Sequence, residues 1–156
     1  MTLLLVICDV LVADEQWEEA LGGAEAFVER VLSAAVAAEG ATGEVSVLLT
    51  TSDELKRLNR DHRGIDKPTN VLAFPAPATA AGLLGDIAVA FGATAAEAQE
   101  EGKTFQAHAA HLLTHGFLHL QGYDHMHDVD AQRMEARERV ILAALGIADP
   151  YAADRV

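Results

Sequence analysis

Hydrophobic spacing along the chain changes several times, and each change marks an element. An apolar run at residues 3–7, closing on Asp9, has a strand's length and predicts a buried strand over residues 3–9. Phe27, Val31 and Ala35 recur one helical turn apart in an Ala-rich stretch, which predicts an amphipathic helix over 24–39. The segment 40–43 ends that helix, and alternation over 44–50 predicts a second strand. Thr51-x-x-Glu54 is a capping box, opening a helix expected to run to about Arg60. Gly64 and Pro68 punctuate a loop, residues 71–74 form a short strand stopped by Pro75 and Pro77, and 76–82 reads as a loop. A further strand over 84–90 is interrupted by Gly85 and Asp86. From residue 94 the spacing is helical. A short helix over 94–101 breaks at Gly102, and a long apolar helix follows over 104–120. A polar turn over 121–127 leads to a last helix, capped by Asp128 and running to 145, with Gly146 beyond its end. No repeat, heptad array or long linker divides the chain. The pattern predicts a single α+β domain over 1–156, a mixed four-stranded sheet packed with five to six helices.

Composition narrows the function. The chain is 51% hydrophobic and 22% charged, so it can bury a core and is not a disordered segment. Twenty-four acids against eleven Lys and Arg give a net charge of −13, which repels DNA and anionic membranes. A polyanion partner therefore requires a local basic patch. No apolar run approaches the ~20 residues that cross a bilayer, and the first lacks the basic leader of a signal peptide. The single cysteine, Cys8, has no internal disulfide partner, so a reducing cytoplasm is expected.

The chemistry concentrates in the histidines. Of seven, His108, His111, His115, His119, His125 and His127 fall within twenty residues. His115 and His119 lie four apart on the long helix, so they share one face a turn apart. Gly122 can adopt the left-handed conformation that reverses the chain and returns His125 to that face. The string HGFLHLQGYDH over 115–125 has the ligand spacing of the metzincin motif HExxHxxGxxH, with Gly116 in place of the catalytic Glu. Three imidazoles suit one Zn²⁺ or another divalent transition metal, at the end of the long helix, and leave a position open for chemistry. His108 and His111 extend the same stripe and read as partly buried residues rather than ligands. The spacing of His127 is wrong for the motif. Asp124 and Asp128 read either as turn and cap residues or as carboxylates orienting an imidazole.

The only cationic window holds Lys56, Arg57, Arg60, Arg63 and Lys67 against Asp61 and Asp66. Lys56, Arg57 and Arg60 are equally well a solvated helix face. Arg63 and Lys67 sit beside Gly64 and Pro68, where a guanidinium can fork onto a phosphate.

With these residues in place, the chain resembles the YbeY family of bacterial endoribonucleases. The resemblance rests on HGFLHLQGYDH over 115–125, on NRDHRGIDKPTNVL over 59–72, on LGDI over 84–87, and on Met134-Glu135, Ile141-Leu142 and Leu145-Gly146. Ala73 departs from the family's usual serine. The resemblance implies a hydrolase of single-stranded RNA, acting in 3′-end maturation of small-subunit (16S) ribosomal RNA and in ribosome quality control. It implies the small subunit or its assembly proteins as partners, a zinc or related ion held by His115, His119 and His125, and a functional Arg63. Two rival readings remain at this stage. One is a metalloendopeptidase-like hydrolase, against which Gly116 speaks. The other is a ribosome-assembly binding factor with a structural metal, against which the open ligand set speaks.

Overall fold

A computed structural model describes residues 6–65, 67 and 69–152. Among these residues four strands, β1 (Val6–Val12), β2 (Gly43–Thr50), β3 (Val71–Pro75) and β4 (Leu83–Ala90), form one sheet in the order β1-β2-β4-β3. β1 with β2 and β2 with β4 are parallel, whereas β3 pairs antiparallel with β4, so the sheet is mixed and β3 is an outer strand. Six helices among the described residues accompany it: α1 (Gln16–Leu21), α2 (Ala24–Glu39), α3 (Ser52–Arg63), α4 (Phe91–Glu101), α5 (Phe105–Leu120) and α6 (Asp128–Ala144).

Strand alternation sorts the two faces. Val45, Val47, Leu49, Ile87 and Val89 point into the main core, where α2 packs on β1, and α5 on β3 and β4. Leu72, Ala88 and Ala90 point the other way and meet Leu55 of α3 in a smaller cluster. α5 is buried along most of its length, which suits its mostly apolar sequence and makes it the central helix. Among the described residues, no helix is long and apolar enough to cross a membrane.

Several element ends differ from the sequence pattern, for local reasons. β1 runs on to Val12, because Asp9 is an outward position of an alternating strand rather than its end; the expected start at residues 3–5 lies outside the described residues. α1 was not anticipated. It has only six residues, too few to show a helical period, and is anchored by Trp17, whose indole N–H donates to Thr50 O at 3.0 Å. α3 continues past Arg60 to Arg63, since Arg60, His62 and Arg63 complement the helix C-terminal dipole and Gly64 caps it at φ 70°. α4 begins at Phe91 rather than Thr94, whose hydroxyl donates back to Ala90 O at 2.7 Å. Asp128 is the first residue of α6, not its cap; His127 holds that position without a side-chain bond. Thr51 caps α3 as expected, accepting from Glu54 N at 3.2 Å.

Gly85 marks the tightest point beneath the site. At φ +141°, a Cβ there would stand 2.4 Å from Phe74 O and 2.8 Å from Leu120 Cδ2. Gly85→Ala is therefore expected to cost at least the ~1–3 kcal/mol of a strained or overpacked position, read as a lower urea midpoint from Trp17 fluorescence.

Candidate metal centre

Helical spacing places His115 and His119 on the α5 face that looks away from the core, while Leu112, Leu113, Phe117 and Leu118 hold the buried side. The helix then closes in a Schellman turn. Tyr123 N donates to Leu118 O and Gly122 N to His119 O, both at 3.1 Å, with Gly122 at φ 95°. That reversal brings His125 back over the helix end.

The result is three imidazoles around one point. His115 and His119 ring centroids are 4.7 Å apart, and His125 lies 5.3 Å from the first and 5.1 Å from the second. One ring nitrogen from each lies within 4.8 Å of the others. The Nε2 atoms of His115 and His119 face each other at 3.1 Å. Ligands of a tetrahedral Zn²⁺ at 2.0–2.1 Å stand about 3.3 Å apart, so this pair already has a ligand separation, and the exposed His125 can close the rest. The donor set fits a borderline divalent ion. Burial, then the neighbouring His115 and His125, lowers the pKa of His119 and favours the neutral, metal-binding imidazole.

The other nitrogen of His115 explains its orientation. Its Nδ1–H donates to Glu138 Oε2 at 2.9 Å, which leaves Nε2 for the cavity. Glu138, on α6, is fully buried and also accepts from His111 Nε2 at 2.7 Å and from the Tyr151 hydroxyl. Burial alone would raise its carboxyl; hydrogen bonds from His111, His115 and Tyr151 and the nearby His111 charge more than reverse this and hold it at about 2. In the unfolded chain it protonates near 4.5. Its contribution to stability is thus complete above about 4.5 and lost as the pH falls toward 2. Glu138→Gln retains only one acceptor for two imidazoles and should weaken divalent-metal affinity by about 10–100-fold, measured by competition with a chelator.

Sequence reasoning missed Glu138, although a signal exists: it lies on the same α6 stripe as the buried Met134, Ile141 and Leu142. His108 and His111 are buried or nearly so, as expected. His108 Nε2 donates to Glu97 at 2.8 Å, and Glu97 accepts from Asn70 Nδ2 at 3.1 and 3.3 Å, so His108 braces a wall residue of the cavity. Asp124 accepts from Met126 N at 3.1 Å, which is turn duty. His127 stands outside the three-histidine group.

Arg63 shares a cavity of about 550 Å³ with His115, His119 and His125. It stands on the last turn of α3, not in the loop where the sequence put it. The segment behind it is strapped to the helix: Asn59 Nδ2 donates to Lys67 O at 3.1 Å, and Ile65 N to Asn59 O at 3.4 Å. Asp66 and Pro68 lie outside the described residues. Arg57 is paired with Glu54, and Arg60 with Asp61, both on the exposed helix face. Thr69, Asn70 and Ala73 line the same cavity; alanine at 73 brings no hydroxyl at that position. Gly116 lies against the sheet, where a Cβ would stand 3.0 Å from Ile87 and 3.3 Å from Val71. A metalloprotease glutamate there would have to displace both.

The chain is also similar to known proteins. Residues 11–146 match the family model described as Endoribonuclease YbeY. An Endoribonuclease YbeY of Rhodopseudomonas palustris strain BisB18 is 50% identical over 159 residues, covering 95% of this chain and 94% of its own. One from Halorhodospira halophila is 51% identical over 133 residues, covering 81% and 84%. The solution structure of TM1509 from Thermotoga maritima superposes with a TM-score of 0.59 at 26% identity, covering 90% of this chain and 92% of that one.

Proposed function

The chain belongs to the endoribonuclease YbeY family, and we propose that it is a metal-dependent endoribonuclease that cuts single-stranded RNA, working as one hydrolase unit over residues 1–156. The observation that supports this reading best is the convergence of Arg63 with His115, His119 and His125 on one open cavity. Its proposed biological substrate is small-subunit ribosomal RNA, in 3′-end maturation and ribosome quality control, with the small subunit or its assembly proteins as partners, in the cytoplasm.

We assign the resident ion as one Zn²⁺ held by His115, His119 and His125; when bound, it supplies Lewis acidity toward a phosphoryl oxygen. The remaining work falls to the chain's own groups. Glu138 fixes the His115 tautomer and ring. Arg63, always charged and planar, faces the phosphodiester and balances charge that grows on its oxygens. Asn70, held by Glu97, and Thr69 offer polar contacts to the strand along the wall.

Three protein ligands leave coordination free for substrate, which favours an enzyme over a structural metal site. The packed Gly116 disfavours peptide hydrolysis. The test is incubation of the metal-loaded protein with precursor small-subunit particles, followed by mapping of RNA ends. Cleavage in the 3′ precursor segment is expected; cleavage of free single-stranded RNA without it would remove the ribosomal assignment. Product ends identify the nucleophile: a 5′-phosphate marks water, and a cyclic phosphate marks the RNA's own 2′-hydroxyl.

A further inference from the structure

Among the described residues, the sheet face opposite α2 and α5 is only half covered. α3 lies over Leu72, Ala88 and Ala90 but leaves β1 bare, and Leu11 there is 64% exposed. Beside α3 runs a groove of about 450 Å³. Leu48 and Leu58 contribute an apolar floor, His62 and Phe74 contribute rings, and Asp9 and Asp86 contribute carboxylates. The two rings are 5.5 Å apart and inclined at 59°.

We infer that this groove is a nucleobase subsite, in which one unpaired base of the bound RNA stacks on His62 and Phe74 and turns its amino edge to Asp86. The inference rests on the endoribonuclease reading and extends it. Continuity with the histidine cavity identifies the occupant. His62 lines the groove, while its neighbour Arg63 lines the cavity. On β3, Phe74 lines the groove, while Ala73 and Pro75 on either side line the cavity. Since β3 is an outer strand, a nucleic-acid strand held at Arg63 reaches the groove by crossing one strand's edge.

The chemistry agrees with that path. Every base has a π-face that stacks on aromatic rings. Carboxylates only accept hydrogen bonds, so Asp86 and Asp9 repel phosphates and receive the amino groups of cytosine, adenine or guanine. Uracil offers one donor between two carbonyls and is the poorest fit. The groove therefore takes a base and leaves the backbone to Arg63. A purely apolar protein partner would instead bury both carboxylates unpaired.

The test uses the metal-loaded full chain as wild type, His62→Ala, Phe74→Ala and Asp86→Ala. Single-turnover cleavage is measured against RNA concentration, alongside stopped-flow fluorescence of RNA carrying 2-aminopurine at successive positions. In wild type, one position should be quenched before cleavage. His62→Ala and Phe74→Ala should abolish that quench and raise the half-saturating RNA concentration by roughly 5- to 150-fold, the loss of one base–aromatic stack. Uracil at that position should weaken wild type but not Asp86→Ala. His62 is exposed at a helix end, so His62→Ala decides the matter if Phe74→Ala fails to fold. An unchanged quench and half-saturation in His62→Ala, with RNA still cleaved, removes the subsite and leaves the nuclease reading intact. A dimer broken by Leu11→Asp with RNA affinity unchanged gives the groove to a second copy and overturns the subsite. Absence of any cleavage by wild type overturns both readings.

Discussion

Arg63→Ala is expected to keep its fold and its metal while cleaving single-stranded RNA on the order of 10²–10³ times more slowly, as for loss of one charge-stabilising donor. A phosphodiester gains negative charge on its equatorial oxygens as a fifth oxygen approaches. A cation set against that growing charge stabilises the transition state more than the bound substrate, and only such a difference becomes rate. Arg63 meets the requirement because it shares the histidine cavity and stands on a helix end capped by Gly64 and tied down through Asn59. Arg63→Lys should restore activity only in part, because an ammonium lacks the bidentate fork. Arg57, engaged with Glu54 on the exposed face of α3, provides the contrast. Arg57→Ala should weaken RNA binding mildly and shallow its salt dependence, as for one lost phosphate contact. Single-turnover rates, metal analysis and circular dichroism together separate these outcomes. Wild-type rates in a folded, metal-loaded Arg63→Ala would exclude Arg63 from the chemistry.

The second large effect concerns the metal. His115→Ala, His119→Ala and His125→Ala should each lose most of the bound ion, because each removes one of three ligands. His108→Ala should retain it, since its ring is committed to Glu97. Acidification should release the ion as protons compete for the imidazoles. The lowered pKa of His119, caused first by burial, lessens that competition at this one ring. Metal content of purified variants across pH decides this. Full stoichiometry in His125→Ala, with loss in His127→Ala, would reassign the third ligand.

The meeting of His115, His119 and His125 was legible in the sequence because a four-residue helical spacing and a turn glycine determine where the rings converge, with no distant contact required. The Schellman turn at Gly122 supplies what the spacing implied. What supports those rings was not legible. Glu138 reaches His115 from α6, twenty-three residues further on, and only the packing of α6 on α5 reveals it. The same holds for the line from His108 through Glu97 to Asn70, which joins α5, α4 and the start of β3.

The fold shows a similar division. α2 was bounded to the residue, since sixteen residues give its apolar face several repeats. α1, with six residues, gave none, and depends on Trp17 packing against Phe91 and Phe105, distant in the chain. Arg63 was placed correctly in the cationic window but on the wrong element. The glycine after it, read as a loop residue, is the cap that lets the helix run three residues further.

On the proposed reading, the three-histidine cavity, faced by Arg63, cuts RNA with the help of a bound divalent ion. The most direct measurement strips the protein of metal with a chelator and then titrates Zn²⁺ back while following cleavage of a single-stranded RNA. Cleavage should be absent in the stripped protein, return in full at one equivalent, and fail to return in His119→Ala at any equivalent. Undiminished cleavage by the folded, metal-free chain, or none by the fully loaded one, would contradict the account.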